Sequence, residues 1–159
     1  MSAARLELLL ELFGDEETEL VFSERQVVQS WLDVEAALAA AQAELGLLDP
    51  AAAKAIARAS RVDELDLQAL WASSRNVGYP FFPLGHQLDE ALPAPYRGRV
   101  HLGATTQDIM DTGLALQLRA AGARELTLLD AFGERLATLS LRYRETVVAA
   151  RTHARQAVP

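Results

Sequence analysis

The 159-residue chain contains no cysteine. That excludes disulfides, thiolate nucleophiles, iron–sulfur clusters and cysteine-ligated zinc. Lysine is nearly missing as well: of 15 basic residues only Lys54 is a lysine, and 22 acids outweigh them to a net charge of −7. A sequence-independent nucleic-acid binder needs surplus cations to displace counterions, so this balance argues against one. The three histidines, His86, His101 and His153, stand far apart, which makes a weak case for a metal. Nowhere do 18 apolar residues run together, so no membrane span is expected. Near the start, Glu7 and Glu11 flank Leu8-Leu9-Leu10. With no basic leader or small-residue cleavage site there, no signal peptide is read and a cytoplasmic location is expected.

Aromatic residues are scarce at 6%, yet the hydrophobic fraction is 50%. Alanine and leucine, among the best helix formers, carry that apolar content, with 29 and 27 copies. The expected fold class is all-α, in a chain long enough to bury a core.

Ser23 and Gln26 have the spacing of a capping box. After them Val27, Trp31, Val34, Leu38, Ala41 and Leu45 recur at helical steps, and Gly46 offers a C-terminal stop. Asp49-Pro50 restarts the chain as cap and first turn of an alanine-rich helix to about Ser60. Another helix is expected after Asp63. From Ala72 to Gly103, four prolines and four glycines break the chain into loops, with one short helix expected near Leu84 to Ala91. No stretch shows the sustained alternation of a strand.

Beyond Asp111-Thr112, Leu129, Phe132, Leu136, Leu139, Tyr143 and Val147 step by three and four, and Leu114, Leu118 and Ala121 extend the stripe upstream. A helix from Gly113 to about Ala150 would be ~55 Å long. A compact globule of this size is ~40 Å across. Such a helix is expected to bury its stripe against other helices, in further chain or in another subunit.

The densest polar cluster, His101-Leu102-Gly103-Ala104-Thr105-Thr106-Gln107-Asp108-Ile109-Met110-Asp111-Thr112, lies just before that helix. Hydroxyls and backbone N–H groups near a helix start favour a carboxylate or phosphate. Equally, Thr106 or Asp111 could simply cap the helix. In Arg151-Thr152-His153-Ala154-Arg155-Gln156 a histidine between hydroxyl, amide and guanidinium groups suits either acid–base work or a structural bond. Arg75, in Ser73-Ser74-Arg75-Asn76, could fork onto an anion or pair with a surface acid.

The run HLGATTQDIMDT resembles the first signature region of the fumarase/aspartase superfamily, which includes adenylosuccinate lyase, argininosuccinate lyase and 3-carboxy-cis,cis-muconate cycloisomerase. The ending RTHARQAVP is similar to the second region. WLDVEAALAAAQAELGLLDPAAAKAI resembles the first long helix of the adenylosuccinate lyase and carboxymuconate branch. The three matches stand in family order and cover essentially the whole chain.

The resemblance implies roles residue by residue. Thr105, Thr106 and Gln107 match a loop that binds the substrate carboxylate, and Asp108 the acid that braces it. His101 matches a histidine near the substrate's distal anionic group. Thr152 and His153 match a pair whose histidine helps protonate the departing group. Arg75, Asn76 and Gln156 join the substrate-binding set. The family's proton abstractor resembles a serine on a mobile Gly-Ser-Ser loop, and the 159 residues stop before that region, so the chain alone is expected to be inactive. Asn76 stands where adenylosuccinate lyases carry a histidine, which favours the carboxymuconate branch. Arg155 stands where many relatives have a glutamine.

The resemblance therefore implies the N-terminal part of a lyase or cycloisomerase. Residues 1–111 would be a helical domain holding the carboxylate loop, and 112–159 the start of a long-helix bundle. It implies a small di- or tricarboxylate substrate, a homotetramer and no cofactor, since the chemistry runs on acids, bases and an oriented carboxylate. The alternatives are an adenylosuccinate lyase-like eliminase releasing fumarate and a non-catalytic helical association module.

Overall fold

In the computed structural model, which describes residue 9 and residues 11–158, short polar side chains set the helix starts. Asp15 accepts the N–H of Thr18 and opens α1 (Glu16–Val21), a helix too short to leave a periodic signal in the sequence. Ser23 accepts the N–H of Gln26 and opens α2 (Glu24–Glu44). Gly46 follows with φ 71°, the left-handed turn expected of it. Asp49 caps α3 (Pro50–Ala59), with Pro50 in the first turn where its missing N–H is harmless. Asp66 caps α4 (Leu67–Val77), which ends on left-handed Gly78. The next helix, α5 (Phe81–Glu90), begins right after Pro80, three residues ahead of the expected Leu84. The run Leu8-Leu9-Leu10 lies, apart from Leu9, outside the described residues.

The long helix is α6 (Thr106–Tyr143), and both ends differ from the sequence expectation of Gly113 to about Ala150. It starts earlier because Asp108 Oδ2 accepts the main-chain N–H of Thr105 at 2.9 Å, the reach-back bond of a capping box. It stops earlier, before the β-branched run Thr146-Val147-Val148, whose side chains lose χ1 freedom in a helix. Among the described residues the architecture is all-α apart from one hairpin of two-residue strands, β1 (Arg151–Thr152) and β2 (Arg155–Gln156). Strands that short cannot display alternation.

Two compact units meet in sequence at Ala121/Gly122. In the first, α2 contributes to both clusters of the core. Val28, Trp31 and Leu32 pack with Leu70, Phe81, Leu84, Leu88 and Ile109. Lower on the same helix, Ala39 joins Leu48, Ala52, Ala53, Ile56 and Leu92 in a second cluster. The expected stripe is thus turned: Val27, Val34 and Leu38 are only partly buried, and Leu45 is exposed. On α6 the buried positions of this unit are Ile109, Gly113, Gln117 and Ala121, a strict four-residue step, whereas Leu114 and Leu118 face solvent. A Cβ on Gly113 would stand 2.7 Å from Trp31 Cδ1 and 2.9 Å from Ser30 Oγ. Gly113 is therefore the close-approach point of α6 on α2, not a helix start. Gln117 Nε2 donates to the Val21 carbonyl at 2.7 Å.

The second unit consists of α6 from Gly122 onward and the hairpin. Its apolar positions Leu129, Phe132, Leu136, Leu139 and Tyr143 are all 47% to 62% exposed. Val147 lies past the helix end. No helix among the described residues is long and apolar enough to cross a membrane.

Candidate functional site: a turn at the start of the long helix

The turn before α6 is tied to α2 by two side chains seven residues apart. Gln42 Nε2 donates to the Leu102 carbonyl at 2.6 Å. Glu35 takes the His101 main-chain N–H on Oε2 at 3.2 Å and meets His101 Nδ1 with Oε1 at 2.6 Å. Seven residues are two helical turns, so both groups leave α2 on the same side. His101 and Gly103 both have positive φ, 59° and 71°, which folds the turn tightly against that side. The imidazole also lies 4.5 Å from the Phe81 ring, centroid to centroid.

After the turn the chain enters α6 through Thr105, Thr106, Gln107 and Asp108. Asp108 fastens the Thr105 N–H, Gln107 Nε2 donates to Asp111 at 2.5 Å, and Thr112 Oγ1 donates to the Asp108 carbonyl at 2.6 Å. Thr105, Gln107 and Asp108 are exposed and Thr106 half-buried. The result is a braced helix start that presents hydroxyls and first-turn N–H groups, where the helix dipole favours an anion.

His101 and Thr106 line a cleft of about 320 Å³ together with Tyr79, Phe81, Phe82 and His86. Of the expected residues in this unit, the structure therefore brings His101 and Thr106 to one cavity. Arg75 lines another depression, with Phe22, Glu24, Val27 and Trp71. Asn76 is exposed in the last turn of α4. In the second unit, Thr152 and Gln156 lie on the two strands and His153 at the exposed tip, beside Ala154 with φ 58°. Thr152 Oγ1 donates to the Arg155 carbonyl at 3.5 Å.

Reasoning from sequence missed Glu35, Gln42 and the aromatic walls. A glutamate inside the buried stripe of an amphipathic helix was the available signal, since such a charge persists only with a partner. Among the described residues, no three His, Asp or Glu side chains gather as a metal site would require.

Known proteins resemble this chain over most of its length. A family model described as Lyase matches residues 15–159. The 3-carboxy-cis,cis-muconate cycloisomerase of Pseudomonas putida is 40% identical over 146 residues, 87% of this chain and 34% of that protein. The N-acetyl-S-(2-succino)cysteine lyase of Enterococcus italicus is 36% identical over 155 residues, 97% of this chain and 34% of that protein. The crystal structure of β-carboxy-cis,cis-muconate cycloisomerase from Acinetobacter calcoaceticus superposes with a TM-score of 0.88 at 33% identity, over 94% of this chain and 36% of that one. The chain thus spans about a third of the length of the curated relatives it matches. With the lyase family model matched from residue 15 onward and the fold shared over nearly its whole extent, this chain belongs to the fumarase/aspartase superfamily of lyases.

Proposed function

We propose that this chain supplies the carboxylate-binding part of a lyase or cycloisomerase that removes a proton next to a carboxylate and makes or breaks a C–O or C–N bond. The nearest activity on this reading is that of a 3-carboxy-cis,cis-muconate cycloisomerase, and the substrate is a small di- or tricarboxylate. The observation that carries it is the braced start of α6, where Thr106 opens onto the same cleft as His101.

Proton removal from the carbon beside a carboxylate leaves a carbanion whose charge spreads into that carboxylate. The Thr105 and Thr106 hydroxyls, the Gln107 amide and first-turn N–H groups are donors that stabilise this developing charge. Asp108 holds the donors in place. His153, aided by Thr152, protonates the departing group, and Arg75, Asn76 and Gln156 complete the substrate-binding set. His101 contacts the substrate's far end. The proton abstractor is not among these residues. The exposed stripe Leu129, Phe132, Leu136 and Leu139 supports burial against helices of other subunits, in a homotetramer. The domain division on this reading is residues 1–111 and 112–159, in a cytoplasmic enzyme.

A second reading is a fumarate-releasing eliminase, favoured by similarity to a lyase named for a succino-cysteine substrate. A paired assay separates the two. The chain and the complete product of its reading frame are each incubated with 3-carboxy-cis,cis-muconate, its lactone and adenylosuccinate while ultraviolet absorbance is followed. Turnover of the muconate or lactone by the complete product is expected. Fumarate release from adenylosuccinate alone would select the eliminase, and silence from a folded complete product would overturn both.

A further inference from the structure

Two unusual features of the first unit meet at one contact. Glu35 is 2% exposed in the middle of α2, where an ionised carboxylate needs partners. His101 holds a left-handed backbone at φ 59°, a conformation disfavoured for residues with a Cβ. Glu35 answers both, accepting the His101 main-chain N–H with one oxygen and facing ring Nδ1 with the other. An ionised Glu35 offers only lone pairs and so favours the hydrogen on the ring nitrogen 2.6 Å from it. Phe81 lies against the ring at 4.5 Å and limits its rotation.

We propose that Glu35 is a positioning residue that fixes His101 in the tautomer with hydrogen on Nδ1, leaving Nε2 as the ring atom offered to the substrate's distal polar group. This rests on the reading of the cleft as a substrate site. The neutral ring then presents an acceptor to a hydroxyl or carboxylic acid, and the protonated ring a donor to a carboxylate. Without Glu35 the neutral ring is free to carry its hydrogen on Nε2 and present the wrong polarity. Glutamine cannot replace Glu35, because it offers one acceptor and one NH₂ to two donors.

Nitrogen-15 spectra of histidine-labelled chain at pH 7 test this, with the His101 signals assigned by their loss in His101→Asn, whose amide retains a donor towards Glu35. The expected wild-type ring is protonated at Nδ1, and in Glu35→Gln the hydrogen redistributes with Nε2–H in the majority. Wild-type His101 bearing its hydrogen on Nε2 alone, or a Glu35→Gln ring with an unchanged tautomer, overturns the proposal. Should circular dichroism show Glu35→Gln unfolded, Glu35→Asp, which withdraws the carboxylate by one methylene, takes its place with the same expectation. A titration of the complete product of the reading frame with 3-carboxy-cis,cis-muconate as probe follows. A shift of the His101 Nε2 signal, with at least tenfold weaker binding in the variant, supports the positioning role. A wild-type ring of the expected tautomer that the probe leaves unmoved refutes the substrate-site reading, and with it the role of Nε2, while leaving the tautomer assignment standing.

Discussion

Replacing Gly113 by alanine should destabilise the first unit, although alanine is the better helix former. In an open helix interior the exchange stabilises by about 1 kcal/mol. Here the new methyl would stand 2.7 Å from Trp31 Cδ1, 2.9 Å from Ser30 Oγ and 3.3 Å from Trp31 Nε1. Trp31 is 6% exposed and packed in the main core, so its ring cannot swing aside. Ser30 Oγ is engaged with the Val27 carbonyl at 2.7 Å. Overpacking of this kind costs about 1–3 kcal/mol. Set against the propensity gain, the net loss is up to about 2 kcal/mol, or about 4 °C in midpoint per kcal/mol. The same helix supplies its own controls, because a Cβ on Gly122 or Gly133 meets nothing within 4 Å. Gly122→Ala and Gly133→Ala should each stabilise the helix by about 1 kcal/mol. Urea unfolding followed by tryptophan fluorescence and circular dichroism reads all three. A Gly113→Ala chain stabilised by about 1 kcal/mol, as the two controls are, would refute the close approach of α6 to α2.

Further outcomes follow from single contacts. Asp108→Ala removes the acceptor of the Thr105 N–H and should cost about 1 kcal/mol of stability in urea, as lost caps do. Gln117→Leu keeps the volume but leaves the Val21 carbonyl without its donor, a loss of about 1–3 kcal/mol read from the same unfolding curves. Leu129→Gln combined with Leu136→Gln should shift the complete product to smaller species in sedimentation; unchanged association would remove the stripe from the interface. In that same protein His153→Ala should lower turnover by about 10²–10⁴-fold with unchanged circular dichroism, and unchanged turnover would return His153 to a structural role.

Much of this was legible in the sequence where short-range chemistry decides. Ser23, Asp49, Pro50 and Gly46 bound their helices as their residue types dictate, and superfamily membership followed from three matched regions in family order, the run His101 to Thr112 among them. Features that depend on tertiary partners were not legible. On α2 the stripe turned, with Val28 and Leu32 going inside beside Trp31. On α6, Leu114, Leu118 and Ala121 suggested the packed face; Ala121 is buried, but small Gly113 and the bonded Gln117 stand there in place of the two leucines. Close helix approach selects small side chains, which a hydrophobicity pattern reads as weak. Glu35 escaped notice because its partner lies 66 residues away. The early end of α6 reflects three consecutive β-branched residues that the three-four spacing of Val147 obscured.

The central claim is that the start of α6 holds the substrate carboxylate whose charge grows in the transition state. Its most direct test compares turnover of 3-carboxy-cis,cis-muconate by the complete product with that of its Thr105→Val and Thr106→Val variants. Each substitution deletes a hydroxyl and keeps the shape. Loss of one such donor should lower kcat by about 10²–10³-fold, with KM moved far less. Equal kcat in folded wild type and both variants would contradict the claim.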